Sequence, residues 1–189
     1  MYEVELKLRA DHDTLREELA AQGADHVDSR TQIDTYYDAP HREFSETDEA
    51  LRIRHEQPAN GETQPADSEP VTKITYKGPL VEAESKTREE HETVVDSASA
   101  LESVLSGLGF EPAATVEKDR EFYALEGYTI SLDDVTGLGD FVEIEQEATE
   151  DEVEAVREGA VDLLSALGLD ASDQIRTSYL GLLLAAEDA

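Results

Sequence analysis

Polar and apolar residues alternate strictly near the start of the chain. Charged side chains stand at positions 3, 5, 7 and 9, and apolar side chains stand at positions 4, 6 and 8. This period of two predicts a β-strand from about Tyr2 to Arg9 with two unlike faces. For one such strand alone, the ordinary interpretation is a half-buried strand whose charged face is solvated. The same alternation recurs on five later segments, and this repetition favours a different role for the charged faces.

Seven further strand candidates follow the first, and helices interrupt them. The predicted strands cover residues 2–9, 26–38, 50–54, 71–77, 86–95, 115–125, 128–135 and 141–146. Helices with an apolar face or a glycine stop are predicted from Asp11 or Asp13 to 22, and over 96–108, 150–167 and 178–187. Residues 44–48 are predicted as a loop or short turn. Residues 58–70 contain three prolines and are predicted as an exposed flexible loop.

The connections between the predicted strands are mostly short, which favours antiparallel pairing. Eight strands can close into a barrel whose interior holds side chains or one small ligand. We find no internal repeat and no domain boundary in the sequence. The sequence therefore predicts one α+β domain over residues 1–189, an eight-stranded antiparallel β-barrel with helices packed on its outside.

The chain is strongly acidic, with 46 acidic and 15 basic residues and a net charge of -31. Such a charge repels phosphate backbones, so nucleic acids and anionic membranes are excluded as partners. We interpret the excess of carboxylates as the surface of a halophilic protein, which stays soluble in concentrated salt. There is no cysteine, no export signal is evident, and the longest apolar run, 180–186, is too short to span a bilayer. A cytoplasmic location is therefore expected.

The few basic residues concentrate on the predicted strands at alternating positions. This set holds eight of the 15 basic residues and four of the five lysines: Lys7, Arg52, Arg54, Lys73, Lys77, Arg88, Lys118 and Arg120. An acidic outer surface would not collect these residues, so we expect them to line a common interior. The apolar partners on the same strands would then face outward beneath the helices: Val4, Leu6, Leu51, Ile53, Ile74, Tyr76, Ile130, Leu132, Val142 and Ile144.

Burying so many like charges in a dry interior would be prohibitive, so the interior must be wet and must bind a polyanion. Phosphate chains suit it, because Arg binds phosphate oxygens in pairs and Lys acts as a point charge. Acids occur in the same phase: Glu3, Glu5, Asp133, Glu143 and Glu145. A solvated face is the ordinary interpretation of such acids. Side-by-side acidic strands instead favour a Mg²⁺ or Mn²⁺ site, because these ions prefer oxygen ligands.

An ordered set of motifs resembles the CYTH proteins, the triphosphate tunnel metalloenzymes. Glu3-x-Glu5-x-Lys7 opens the set, and Ser178-Tyr179 closes it. Between them stand DTYYD (34–38), ALRIR (50–54), TYKGP (75–79), KTREE (86–90), VEKDR (116–120), LDDV (132–135) and LGDFVEIE (138–145). The residues of these motifs are most similar to those of the class IV adenylyl cyclase branch of that family. The resemblance implies an eight-stranded antiparallel tunnel.

The resemblance also implies roles for the candidate residues. Lys7, Arg52, Arg54, Lys77, Lys118 and Arg120 would grip the triphosphate, and Lys73 and Arg88 join this set by their phase. Lys7, Lys118 and Arg120 are the expected catalytic residues. Glu3, Glu5, Glu143 and Glu145 would hold the metal ions, with Asp133 assisting and Asp134 as the alternative to Asp133. The five histidines, at positions 12, 26, 41, 55 and 91, are expected at the surface.

Three functions remain open at this point, and the resemblance favours the first of them, an adenylyl cyclase. In a cyclase the ribose 3′-hydroxyl of ATP attacks the α-phosphorus, and cyclic AMP and pyrophosphate form. In a triphosphatase, water attacks the terminal phosphorus of inorganic triphosphate, thiamine triphosphate or a nucleoside triphosphate. A non-catalytic polyphosphate binder is disfavoured, because an anion sink would not place carboxylates beside its cations unless metals bridge them. A homodimer is expected by analogy alone.

Overall fold

The computed structural model describes residues 2–59, 69–81 and 85–187. These residues form eight strands: β1 (Tyr2–Arg9), β2 (Asp25–Asp38), β3 (Ala50–Pro58), β4 (Val71–Lys77), β5 (Arg88–Val94), β6 (Glu111–Leu125), β7 (Tyr128–Val135) and β8 (Gly139–Ala148). The strands form a closed barrel in the order β1-β5-β4-β3-β2-β6-β7-β8, and every pairing is antiparallel. The predicted fold is confirmed.

Five α-helices occur in the same described ranges: α1 (His12–Gln22), α2 (Phe44–Thr47), α3 (Ala98–Gly107), α4 (Val153–Ala166) and α5 (Tyr179–Glu187). Local signals set the ends of α1, because the Asp11 side chain accepts a hydrogen bond from the Thr14 amide and Gly23 adopts a φ of 78°. Ser97 caps α3 in the same way, through the Ala100 amide. Across the described part of the chain, no helix is long and apolar enough to cross a membrane.

Several element boundaries differ from the predicted ones. Strand β3 extends to Pro58 instead of position 54, and β8 covers Gly139–Ala148 instead of 141–146. Residues 44–47 form a short helix where a loop or turn was predicted, and α4 begins at Val153 instead of position 150. Strand β6 begins at Glu111, because the register with β2 shifts near Pro112 and pairing then continues to Asp38. Proline disfavours a strand except at such irregularities, which hid this extension in the sequence. The predicted loop at 58–70 falls largely on residues 60–68, which lie outside the described ranges.

The main apolar core lies outside the barrel wall. Leu6, Ile130, Leu132, Val142 and Ile144 are at most 1% exposed and pack in one cluster with α1 and α4. The helices contribute Leu15, Leu19, Leu163 and Leu164 to this cluster. A second cluster joins Leu51 and Ile53, with Ile74 and Tyr76 packed against them, to Leu101 and Leu105 of α3. The predicted outward direction of the apolar strand faces is confirmed for these residues.

One end of the barrel interior is apolar, which the sequence analysis did not anticipate. Val116, Val135 and Phe141 share the inward phase of Lys118, Asp133 and Glu143, two residues away on each strand. These three side chains cluster with Tyr179, and Leu180, Leu182 and Leu183 of α5 pack against them. Helix α5 therefore closes part of the barrel over an apolar layer, and the charged layers lie beyond it.

The barrel closes through two unequal interfaces with β1. Strand β1 pairs with β8 along its whole length, from Tyr2 opposite Ala148 to Arg9 opposite Phe141. On its other side, β1 pairs with β5 only at Tyr2 and Glu3. The Lys86 amide extends this contact by donating to the Glu5 carbonyl at 3.2 Å. We call this short interface the β1–β5 seam.

Ile144→Ala tests the position of the core. Ile144 is 0% exposed on the outer face of β8, so truncation should lower the free energy of unfolding by about 2–5 kcal/mol. Urea denaturation in molar KCl measures this change. Val94→Ala is the control, because Val94 is 62% exposed and should cost less than about 1 kcal/mol. Equal small losses in both variants would contradict an outer core beneath α4.

Candidate active site

A cavity of about 1330 Å³ runs through the barrel, and we call it the tunnel. Its lining includes all eight basic residues that the alternation placed inward: Lys7, Arg52, Arg54, Lys73, Lys77, Arg88, Lys118 and Arg120. Four of the five predicted acids, Glu3, Glu5, Glu143 and Glu145, also line it. The alternation of the strands therefore brings twelve of the predicted site residues to one cavity.

Asp34 on β2 organises cations on β3 and β6. Its carboxylate accepts from Arg54 Nε at 2.6 Å and Nη2 at 2.7 Å, and from Arg52 Nη1 at 3.2 Å. Lys118 Nζ lies 3.6 Å away. Burial opposes ionisation of Asp34, but these three positive charges outweigh it and hold the pKa of the carboxyl well below its usual range. Asp34 thus allows a cluster of cations to be buried before any ligand binds.

A second network surrounds Arg120 on β6. Arg120 Nε donates to Asp133 Oδ1 at 2.5 Å, and Arg120 Nη2 donates to both Asp133 and Glu143. Tyr179 Oη donates to the other Asp133 oxygen at 2.8 Å. Asp133 is 0% exposed. The metal-assisting role predicted for Asp133 stays a prediction, and its two oxygens already bind Arg120 and Tyr179.

A third group of charges bridges the β1–β5 seam. Lys77 Nζ lies 2.9 Å from Glu3 and also binds Glu90. Lys86 Nζ lies 3.2 Å from Glu5. Arg88 binds a residue outside this group. Its guanidinium donates to the Asp48 carbonyl at 2.6 Å and to the Asp48 carboxylate at 3.0 Å. Arg88 therefore lines the tunnel while it anchors the loop before β3.

Glu145 is the one member of the predicted acid set that binds no cation within the described ranges. It lies directly opposite Glu5 in the pairing of β8 with β1, and like charges in such positions repel each other. Burial, together with the nearby charge of Glu3, raises the pKa of Glu145 to about 8. Burial also raises the pKa of Glu3. This corner of the tunnel carries more negative charge than its neighbouring cations balance.

Two lysines of the tunnel have lowered pKa values. Burial and the charges of Arg120 and Arg54 lower the pKa of Lys118 to about 7. Burial and the charge of Lys86 lower the pKa of Lys7 to about 8. Lys7 Nζ is 3.9 Å from both Glu5 and Glu143, which oppose this effect only in part. A bound anion would restore the charge of both lysines.

The structure adds site residues that sequence reasoning missed. Lys86 lies in the tunnel although it precedes β5. Glu56, Glu90 and Glu92 line the tunnel and bind cations there. Glu90 and Glu92 alternate with Arg88 along β5, which is the signal that could have identified them. Their cation partners lie on the neighbouring strand β4 and cannot be read from the sequence of β5 alone. His12 corrects a prediction, because it is 9% exposed and its Nε2 lies 2.9 Å from the Phe141 carbonyl.

Gln32 on β2 is a further tunnel residue that the sequence did not identify. Its amide nitrogen donates to Glu56 Oε1 at 2.9 Å. A carboxylate accepts and cannot donate, which fixes the orientation of this amide. The Gln32 carbonyl oxygen is buried and has no hydrogen-bond partner among the described residues. It is an acceptor for a ligand or for water in the tunnel.

These features define a class of protein, an antiparallel barrel with its apolar core outside and a tunnel of paired charges inside. The chain belongs to the CYTH domain family, whose model matches residues 1–179. The family resemblance in the sequence is thus confirmed.

Related proteins match over nearly the whole chain. A Methanocaldococcus jannaschii protein, named as a candidate adenylate cyclase, is 36% identical over 96% of this chain and 98% of its own length. The adenylate cyclase CyaB of Aeromonas hydrophila is 29% identical over 94% of this chain and 86% of its own length. A solved structure from Pyrococcus horikoshii is 37% identical, with a TM-score of 0.86, over 97% of this chain and 99% of that one.

Metal-free binding of inorganic triphosphate should take up protons at about pH 8, because Lys118 has a pKa of about 7 and a bound anion raises it. Affinity should therefore fall as pH rises above about 7. Calorimetry with EDTA in two buffers of different ionisation heat measures the uptake. Lys118→Arg is the matched control, because arginine stays protonated. Proton uptake by this variant should be smaller than that of the wild type, because only Lys7 still takes up protons. An unchanged proton uptake would contradict the assignment of the uptake to Lys118.

Proposed function

We propose that this protein is a metal-dependent enzyme acting on a triphosphate held in the tunnel, and that its reaction is the conversion of ATP to cyclic AMP and pyrophosphate. One observation carries the proposal: the eight predicted cations and four of the predicted carboxylates line a single cavity. Cations alone would suit any anion. Carboxylates beside them favour an anion that arrives with metal ions.

The carboxylates of the tunnel fit a hard divalent cation, and Glu3, Glu5, Glu143 and Glu145 would hold Mg²⁺ or Mn²⁺. The fit rests on Glu145, which faces Glu5 without a cation partner. Within the described ranges, no three acidic or histidine side chains converge on one ion position, so substrate oxygens must complete the coordination. When bound, the ion supplies positive charge to the phosphates and polarises the attacking oxygen.

The side chains of the tunnel have separate tasks in this proposal. Arg52 and Arg54, held by Asp34, present a fixed pair of guanidinium groups to the phosphate oxygens. Lys7, Lys118 and Arg120 surround the deepest charged region and stabilise negative charge that develops on the departing pyrophosphate. Since Lys7 and Lys118 have lowered pKa values, protonation of both would accompany substrate binding.

Two observations favour a nucleotide over inorganic triphosphate. The cavity of about 1330 Å³ exceeds the roughly 300–1,000 Å³ of most small-molecule sites, so it has room beside a triphosphate group. The Gln32 carbonyl oxygen needs a hydrogen-bond donor, and ionised phosphates offer none, whereas a nucleoside has hydroxyl and amino groups. The names of the two curated relatives support the same choice. A triphosphatase is the alternative, because the charged lining serves both reactions.

Product analysis decides between the candidate reactions. The purified protein in molar KCl with Mg²⁺ or Mn²⁺ should convert ATP to cyclic AMP and pyrophosphate, and Lys118→Ala should lower turnover by more than about 100-fold. Ion-exchange chromatography separates the products. Formation of ADP and phosphate without cyclic AMP would overturn the cyclase and favour the triphosphatase. Tight triphosphate binding without any turnover would favour the non-catalytic binder.

Glu145→Gln tests the proposed role of Glu145 as a metal ligand. In metal-free protein, Glu145 has a pKa of about 8 in place of the ordinary 4.5. Between these two pH values the unfolded chain releases the proton and the folded chain retains it, so the folded state loses stability as pH rises. The variant lacks this cost and should unfold at a higher temperature than the wild type, with an advantage that grows as pH rises over this range. Differential scanning calorimetry in EDTA measures the difference.

Added Mn²⁺ with triphosphate should reverse the order of stability, because the variant loses one metal ligand. Glu147→Gln is the matched control on the same strand, since Glu147 is exposed and should be stabilised by Mn²⁺ and triphosphate as strongly as the wild type. A Glu145→Gln variant that is stabilised by Mn²⁺ and triphosphate as strongly as the wild type would contradict the proposed metal site.

A further inference from the structure

Tyr179 stands where the charged tunnel meets the apolar end of the barrel. It is the first residue of α5, lines the tunnel and is 6% exposed. On its apolar side, its ring meets Phe141 edge to face, with 5.0 Å between the ring centroids. Packing against Phe141 and the barrel wall therefore fixes the ring in one place.

The ring of Tyr179 contacts two of the three expected catalytic cations. Lys7 Nζ lies 4.4 Å from the ring centroid, and Lys118 Nζ lies 5.2 Å from it. Both distances are within the range of about 6 Å in which an aromatic face attracts an ammonium group. Lys7 and Lys118 are on strands that do not pair with each other, so the ring links ammonium groups that the sheet leaves separate.

The hydroxyl of Tyr179 reaches the third cation indirectly. It donates to Asp133 Oδ2 at 2.8 Å, and Asp133 binds Arg120 through both of its oxygens. Arg120 in turn binds Glu143. One side chain from the last helix thus touches Lys7 and Lys118 directly and Arg120 through Asp133.

We propose that Tyr179 is a positioning residue: its ring sets the separation of the Lys7 and Lys118 ammonium groups, and its hydroxyl orients Asp133 and thereby Arg120. This inference rests on the proposed triphosphate site. The two parts of the side chain have different effects in it. The ring prepares the cations that bind the triphosphate, and the hydroxyl prepares the arginine that acts on the transition state.

Two substitutions separate these parts. Tyr179→Phe keeps the ring and removes the hydroxyl, so metal-free binding of inorganic triphosphate should stay within about twofold of wild type. In the metal-loaded enzyme its kcat should fall about tenfold with KM little changed, as expected when an interaction made in the transition state is weakened. Tyr179→Leu removes both parts and should weaken metal-free triphosphate binding about tenfold. Calorimetry in EDTA gives the affinities.

Leu182→Ala is the matched control, because Leu182 packs against the same apolar cluster from the same helix and does not line the tunnel. It should lower the melting temperature and leave triphosphate affinity within about twofold of wild type. If Tyr179→Leu does not fold, Tyr179→Met replaces it, since it also removes the ring.

Each result decides the inference. Equal weakening of binding in Leu182→Ala and Tyr179→Leu would reduce Tyr179 to a packing residue and overturn the proposal. Unchanged affinity in Tyr179→Leu would overturn it too. Loss of affinity in Tyr179→Phe equal to that in Tyr179→Leu would remove the role of the ring. Failure of the wild type to bind triphosphate would be a different result, because it would overturn the triphosphate site itself and this inference with it.

Discussion

Buried charges need partners, and this constraint determines the interior of the barrel. Asp34 lies among Arg52, Arg54 and Lys118 and lets three cations leave water together. Arg120 is in turn the cation that pairs with two buried carboxylates, those of Asp133 and Glu143. Removing one partner from such a group leaves an uncompensated buried charge, which is strongly destabilising. The remaining imbalances of charge lie at Glu145 and at the two lysines, Lys7 and Lys118.

The placement of the apolar core follows from the same constraint. A barrel that fills its interior with charged groups cannot bury its apolar faces there, so β1, β7 and β8 present them outward to α1 and α4. The apolar core and the charged tunnel therefore lie on opposite faces of the same strands. Ile144 packs in the core, and its neighbours Glu143 and Glu145 line the tunnel.

The period of two predicted this arrangement well, because one residue of shift moves a side chain to the other face. It placed the eight basic residues in the tunnel. Lysine and arginine are rare in the rest of this chain, so their positions on the strands were informative about the interior. It failed for acids such as Asp34 and Glu56, because 46 acidic residues give no contrast between a buried and a solvated carboxylate. Only the partner across the sheet distinguishes them. Gln32 and Tyr179 depend on contacts between distant segments, which no local pattern contains.

The pairing of the first strand with the last sets the order in which the molecule can assemble. Tyr2 lies opposite Ala148 and Arg9 lies opposite Phe141, so β1 leaves the ribosome long before its principal partner exists. Contacts between such distant segments form slowly, since a long loop must close first. Until β8 arrives, Val4, Leu6 and Leu8 lack the strand that covers one edge of β1 along its whole length.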